Sequence, residues 1–230
     1  MGNRTNHYLE MQNVSYWYKG DKEKRWILQN VSYTFESGKM YAILGKSGAG
    51  KSTTLALLGR LDEPKQGGIF YDKKPIKEIR YEVYRRDIIG MIFQDYNLLP
   101  YLNGYQNIEI AMRLSKGKRV DKRSIEEYLE DVNIDNAIAE RNVRRLSGGE
   151  QQRIAIARAL AMDSKIILAD EPTGNLDQET AQEIIEILVS MAHEAGKCVI
   201  AVTHTPELAQ KSDVVLKIDK GNICNNCQNI

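Results

Sequence analysis

Gly45 Lys46 Ser47 Gly48 Ala49 Gly50 Lys51 Ser52 fits the pattern G-x-x-x-x-G-K-[S/T] at every fixed position and follows a short apolar run, Met40 to Leu44. A strand that runs into such a loop, with a helix beginning near Lys51, holds phosphate. The glycines let the backbone curl until successive N–H groups face phosphate oxygens. Lys51 reaches the terminal phosphates, and the Ser52 hydroxyl can ligate Mg²⁺. The start of the helix adds the positive end of its dipole at Lys51, Ser52 and Thr53.

Before this loop the chain reads as strands. Tyr8 to Tyr18 and Trp26 to Phe35 are rich in Val, Tyr, Ile and Trp, and polar breaks at Lys19–Gly20–Asp21 and Ser37–Gly38 mark the turns. After it, helical spacing covers Ser52 to Leu61, and strands follow at Ile69 to Asp72 and Ile88 to Gln94. The middle of the chain changes character. Gln106 to Leu114, Ser124 to Val132 and Ile134 to Ala139 carry apolar residues at helical spacing with charged opposite faces, which predicts a helical insertion. A long helix is expected from Gly149 to Met162. Strand and helix then alternate: Ile166 to Ala169, Glu179 to His193, Val199 to Val202, Pro206 to Gln210 and Val214 to Ile218. Such alternation implies a mostly parallel sheet covered by helices, an α/β fold.

Composition sets further bounds. The 230 residues include 32 basic and 31 acidic side chains, a formal charge of +1, which supplies no electrostatic reason to expect nucleic acid. No apolar run approaches the ~20 residues of a membrane helix. The opening MGNRTNHYLE lacks an apolar signal core, and Asn6 stands where a myristoylation signal needs Ser or Thr. A cytoplasmic location is the expectation. Of the three cysteines, Cys198 lies in an apolar strand-like run and reads as packing. Cys224 and Cys227 form a lone C-x-x-C in a polar tail, without the second pair or His that a zinc site needs.

Two more stretches carry chemistry. Ile166 to Glu171 is an apolar run ending in paired carboxylates, Asp170 and Glu171. Beside a phosphate loop, Asp170 would help hold Mg²⁺, and Glu171 could take a proton from an attacking water. Leu146 Ser147 Gly148 Gly149 Glu150 Gln151 Gln152 Arg153 precedes an Ala-rich helical run. Ser147 with Glu150 is a capping box for that helix.

LSGGEQQR also resembles the signature motif of the ATP-binding cassette (ABC) family. The resemblance covers nearly the whole chain in order. It matches Tyr18 to the aromatic that stacks on adenine, Gln94 to the Q-loop glutamine, and Ser147, Gly148 and Gly149 to the signature. It matches Asp170 and Glu171 to the Walker B pair, Asn175–Leu176–Asp177 to the D-loop, and His204 to the switch histidine. The departures are Lys46, where many relatives have Pro, and Asn175, where a small residue is common.

The resemblance implies a P-loop NTPase with an N-terminal antiparallel β-subdomain. The core and β-subdomain would take residues 1–94 and 147–230, and a helical subdomain residues 95–146. It implies ATP and Mg²⁺ as ligands, with Ser52, Gln94 and Asp170 at the metal and Glu171, His204, Gln94 and Lys51 in catalysis. It also implies a head-to-tail homodimer on ATP binding, because Ser147 and Gly149 would contact the γ-phosphate held by the other copy's Lys51. The QDYNLLP and DEPTGNLD strings, residues 94–100 and 170–177, are similar to the branch of lipoprotein-releasing, macrolide-exporting and peptide-antibiotic cassettes.

That implies a subunit at the inner face of the cell membrane, bound there only through a separate permease. The permease's cytoplasmic helix is expected in the groove between the ATPase core and the helical insertion, around Tyr96 to Gln106, and the apolar run Leu98 to Leu102 supports this. A mechanical or sensory module acting on a membrane protein without transport fits the same residues. A soluble cassette of DNA repair or translation fits less well, since the sequence has neither a long coiled coil nor a second cassette.

Overall fold

The structure is a computed structural model that describes residues 8–19, 24–115 and 120–225. The expected turn at Gly20 and Asp21, the stretch before Tyr8, and Cys227 lie outside the described residues. In chain order the elements are β1 (Tyr8–Lys19), β2 (Lys24–Glu36), β3 (Met40–Leu44), α1 (Lys51–Leu58), β4 (Gln66–Tyr71), β5 (Lys74–Pro75), α2 (Tyr81–Val83) and β6 (Ile89–Ile92). Then come α3 (Gly104–Leu114), α4 (Lys122–Glu130), α5 (Asn136–Ala139), α6 (Gly148–Ala161), β7 (Ile166–Asp170) and α7 (Gln178–His193). The last are β8 (Cys198–Thr203), α8 (Pro206–Lys211), β9 (Val214–Asp219) and β10 (Asn222–Asn225).

Two sheets result. One is antiparallel, in the order β2-β1-β4-β5, and the other has the order β10-β9-β3-β8-β7-β6. In the second, β9, β3, β8, β7 and β6 are parallel and β10 is antiparallel to β9. The period-2 alternation of the parallel strands explains how both faces bury apolar side chains. Tyr41 and Ile43, Ile166 and Leu168, and Ile200 and Val202 face one cluster, shared with α1 and the antiparallel sheet through Leu55, Leu9 and Phe35. The intervening Ala42, Ile167, Ala169, Val199 and Ala201 face the other, shared with α3, α4, α6 and α7 through Ile108, Leu129, Ile154 and Leu188. Each fully buried Leu or Ile adds roughly 1.5–3 kcal/mol of transfer free energy.

The expected elements are present; β5 is an added short strand, and three further differences stand out. Helix α1 stops at Leu58 rather than Leu61, because Gly59 closes onto Leu55 and Arg60 turns left-handed at φ 54°. Tyr81 to Ile88, not read as helical from sequence, forms helical turns that send the Tyr84 hydroxyl to the Leu58 carbonyl at 2.6 Å. The polar tail is in part a strand, β10, which places the exposed Cys224 on a sheet edge. Cys198 is 1% exposed, as packing requires, and burial pushes its thiol pKa up.

The parallel order has one consequence for function. The carboxyl ends of β3, β6, β7 and β8 all open on the same edge, where α/β sheets bind ligands. Gly45, Gln94, Asp170 and His204 stand at those ends.

Candidate functional site

A cleft of about 630 Å³ opens along that edge. Its floor is the phosphate loop. Gly50, the residue before α1, has φ 106°, and a Cβ there would come within 2.8 Å of Ile27 Cγ2, so only glycine fits. The loop is closed by Ala49 N–H donating to Lys46 O at 3.1 Å and by Thr54 N–H and Oγ1 donating to Gly50 O at 2.8 and 2.9 Å. Gly45, Lys46, Ser47, Gly48, Gly50, Lys51, Ser52 and Thr53 line the cleft. Ala49 does not; it packs against the apolar cluster behind the loop.

Across the floor stand the carboxylates. Ser52 Oγ donates to Asp170 Oδ1 at 3.2 Å. Burial raises the Asp170 carboxyl pKa and the charge of Glu171 adds to this, while the Ser52 hydroxyl and Lys51 pull the other way. Glu171 has φ 46°, a left-handed conformation that costs a non-glycine residue of order 1–3 kcal/mol. Its N–H is tied to Val202 O at 3.0 Å. Its carboxylate is met by His204 Nδ1 at 2.8 Å, His204 N–H at 3.3 Å and Lys51 Nζ at 3.6 Å. Lys51 also donates to Gly45 O at 2.9 Å. Both side chains are almost enclosed, Lys51 11% and Glu171 14% exposed, whereas His204 is 64% exposed. An ammonium, a carboxylate and an imidazole thus converge on the space above the loop.

Gln94 lines the same cleft, and its amide reaches Asn175 Oδ1 at 3.4 Å. Tyr18, half exposed and edge-on to Tyr16 at 5.2 Å, forms the outer wall. Two residues that sequence reading missed complete that wall, Arg25 and Ile27. Arg25 faces Tyr18 across the β1–β2 ladder, whose register shifts three times between Met11 and Trp17. A pairing displaced by irregularities of that kind is not legible in a single sequence.

The remaining motif residues lie elsewhere. Ser147, Gly148, Gly149 and Asp177 do not line this cleft. Ser147 and Glu150 form the expected capping box of α6, with Ser147 N–H to Glu150 Oε2 at 2.7 Å and Glu150 N–H to Ser147 Oγ at 3.3 Å. The two glycines sit where neighbours press close. A Cβ on Gly148 would meet the Tyr96 hydroxyl at 2.8 Å, and one on Gly149 the Thr180 methyl at 2.5 Å. Asp177 caps α7, accepting from Thr180 N at 3.0 Å and Thr180 Oγ1 at 2.7 Å, and these bonds lower its pKa.

Residues 28–174, more than half of the chain, match the family model described as ABC transporter. The ABC transporter ATP-binding protein YclH of Bacillus subtilis is 42% identical over 93% of this chain and 94% of its own length. The lipoprotein-releasing system ATP-binding protein LolD of Idiomarina loihiensis is 34% identical, over 94% of this chain and 96% of its own. Among solved structures, the dimeric post-hydrolysis state of the ATP-binding cassette MJ0796, bound to ADP and Pi, superposes with a TM-score of 0.85 at 34% identity, covering 94% of this chain and 96% of that one. CbiO1 of Clostridium perfringens, part of the ABC transporter complex CbiONQ, superposes with a TM-score of 0.80 at 27% identity, covering 94% and 86%. With relatives of this identity along almost its whole length, the chain belongs to the ABC transporter family, as an ATP-binding and ATP-hydrolysing subunit.

Proposed function

We propose that this chain hydrolyses ATP at a site shared between two copies and passes the resulting closure to a separate membrane permease that moves a lipoprotein, peptide or antibiotic-like substrate. One observation carries the shared site: Lys51, Glu171, His204 and Gln94 converge on one cleft, while Ser147 and Gly149 lie outside it. A head-to-tail pair brings the signature of one copy to the cleft of the other. The dimeric MJ0796 cassette supports that arrangement.

In this reading the phosphate loop and Lys51 bind the triphosphate, and Tyr18 stacks on the base. Glu171 accepts the proton of the attacking water, a contribution of about 10² to 10⁴ in rate. The imidazole of His204, already hydrogen-bonded to Glu171, turns to the γ-phosphate, and the Gln94 amide orients the water. Asp177 holds the start of α7 beside the interface.

Ser52 and Asp170 place two hard oxygens together on the loop floor, a donor set that suits Mg²⁺. Among the described residues no cluster of three His, Cys, Asp or Glu exists to hold a metal alone. Mg²⁺ takes few protein ligands and completes its shell with phosphates and water. Bound Mg²⁺ would neutralise phosphate charge, with Ser52 as direct ligand and Asp170 and Gln94 beside it.

Among the described residues no helix is long and apolar enough to cross a membrane. We place the chain in the cytoplasm, at the inner face of the cell membrane through its permease. LolD-like relatives and the CbiONQ assembly favour that partner. Residues 95–146 form the helical subdomain in this reading, with residues 1–94 and 147–230 the core and β-subdomain, and the permease docks against the exposed Leu99 and Tyr101.

A mixing experiment tests the shared site. Lys51→Ala and Ser147→Arg chains, each inactive alone, should recover ATP hydrolysis when combined, because the mixed dimer has one site with both an intact Lys51 and an intact signature. No recovery on mixing would refute the head-to-tail site.

A further inference from the structure

Helix α6 begins with the signature and ends against the loop that follows Gln94. Near its far end, Arg158 Nη1 donates to Asn97 O at 2.5 Å and Nη2 to Tyr96 O at 3.1 Å. Among the described residues no salt bridge to a carboxylate is formed by this guanidinium, and burial pushes its pKa down. The two carbonyls supply charge-assisted hydrogen bonds that offset the partial desolvation of the guanidinium, so cation and loop hold one another in place.

Those carbonyls are unusual. Tyr96 and Asn97 both adopt left-handed backbone, φ 59° and 47°, immediately after Gln94 and Asp95. For Tyr this conformation is strained and must be held by its surroundings. The same Tyr96 places its hydroxyl so close to Gly148 that a Cβ there would come within 2.8 Å of it. The loop after Gln94 therefore meets α6 twice, lying close against its first turn through Tyr96 and hydrogen-bonded near its last through Arg158. In the second turn, Gln152 Nε2 donates to Pro172 O at 2.9 Å, just after Glu171.

From this geometry we infer that Arg158 is a positioning residue for Gln94: it locks the left-handed pair Tyr96–Asn97 to α6, so that the loop carrying Gln94 moves with the signature. The inference rests on the role given to Gln94 above. Its consequence is that engagement of the signature by the partner copy's nucleotide sets the water-orienting amide in the chain's own cleft.

A double-mutant comparison on the purified chain tests it, with ATP turnover and ATP affinity measured for Arg158→Gln, Arg158→Lys, Gln94→Ala and the combination Arg158→Gln with Gln94→Ala. We expect Arg158→Gln to lower kcat by between about tenfold and 10²-fold, the scale of a 1 Å displacement of a catalytic group, with ATP affinity unchanged. Lys can serve one carbonyl as a point charge and should recover part of the loss. In the Gln94→Ala background the Arg158 substitution should cost nothing further, because the positioned group is gone. A merely structural Arg158 would lower melting temperature and affinity together and give the same fold-loss in both backgrounds, and that additive result overturns the inference. Native turnover in Gln94→Ala alone would instead remove the role of Gln94, and the positioning role with it. Should the Gln variant not fold, Arg158→Lys with and without Gln94→Ala carries the same comparison.

Discussion

Replacing Glu171 by Gln keeps the shape of the side chain and removes its charge. Two effects separate. The carboxylate that would take the water's proton is lost, which should reduce kcat by about 10² to 10⁴, or roughly 2.7–5.4 kcal/mol at about 1.36 kcal/mol per decade. ATP binding should move the other way. Glu171 Oε1 lies 3.6 Å from Lys51 Nζ, so bound phosphates would compete with it for the ammonium. Both side chains are largely enclosed on the floor of the cleft, and the pair lies beyond close hydrogen-bond distance. Taking the upper part of the range for measured ion pairs, about 1 kcal/mol, its removal tightens ATP binding by up to about fivefold. The assay pairs steady-state phosphate release with calorimetric titration of ATP. Sedimentation in ATP should show a long-lived dimer, since closure would no longer be released by hydrolysis. Turnover within tenfold of the native chain would refute the base assignment. Weaker binding would refute the competition argument and show that Glu171 shapes the phosphate loop instead.

Three other outcomes are expected. Asp170→Asn should raise the melting temperature of the nucleotide-free chain at neutral pH while abolishing hydrolysis. Burial raises this carboxyl's folded pKa above its unfolded value, so the charged form opposes folding and stability falls as pH rises through that interval. Differential scanning calorimetry reads the gain, at roughly 2–4 °C per kcal/mol for a chain of this size. Leu99→Ala with Tyr101→Ala should strip the chain from membranes carrying its permease while leaving ATP affinity unchanged, as a flotation assay would show; retained association moves the docking site elsewhere. Asp213→Asn should flatten the acid limb of a stability–pH curve. Burial raises that carboxyl, but the Met40 N–H at 2.7 Å and His193 outweigh it, so its folded pKa is lowered; its contribution is present above the unfolded pKa and lost as pH falls through the folded one. An unchanged acid limb would show that the Met40 and His193 contacts do not hold in solution.

Several parts of the site were legible in the sequence because chemistry restricts them to a few residue types at fixed spacing. The curl of the phosphate loop needs Gly50, whose φ of 106° and contact with Ile27 admit no Cβ. The paired carboxylates must follow an apolar strand, and β7 is one, buried on both faces through Ile166 to Ala169. Capping chemistry made the start of α6 readable at Ser147 and Glu150. The run Leu98 to Leu102 was legible as an apolar stretch but not in its orientation. Leu98 packs against the core, while Leu99 is 45% and Tyr101 81% exposed, so Leu99 and Tyr101 are the side chains to truncate. Irregular ladders hid Arg25 and Ile27 from the cleft wall. No local propensity announced the left-handed backbone of Tyr96, Asn97 and Glu171, because tertiary contacts impose it.

The sequence by itself determined the family, the nucleotide chemistry and the elements that carry it, since phosphate binding, strand burial and helix capping are local demands met by residues close together in the chain. Tertiary structure alone decided how those elements meet. It brought Gly45, Gln94, Asp170 and His204 to one edge through the strand order β3-β8-β7-β6, and it left Ser147 and Gly149 outside that cleft. It also joined Arg158 to a loop 61 residues away. Contacts at that separation depend on how strands are ordered and how a buried charge finds its acceptors, and neither leaves a periodic trace in sequence.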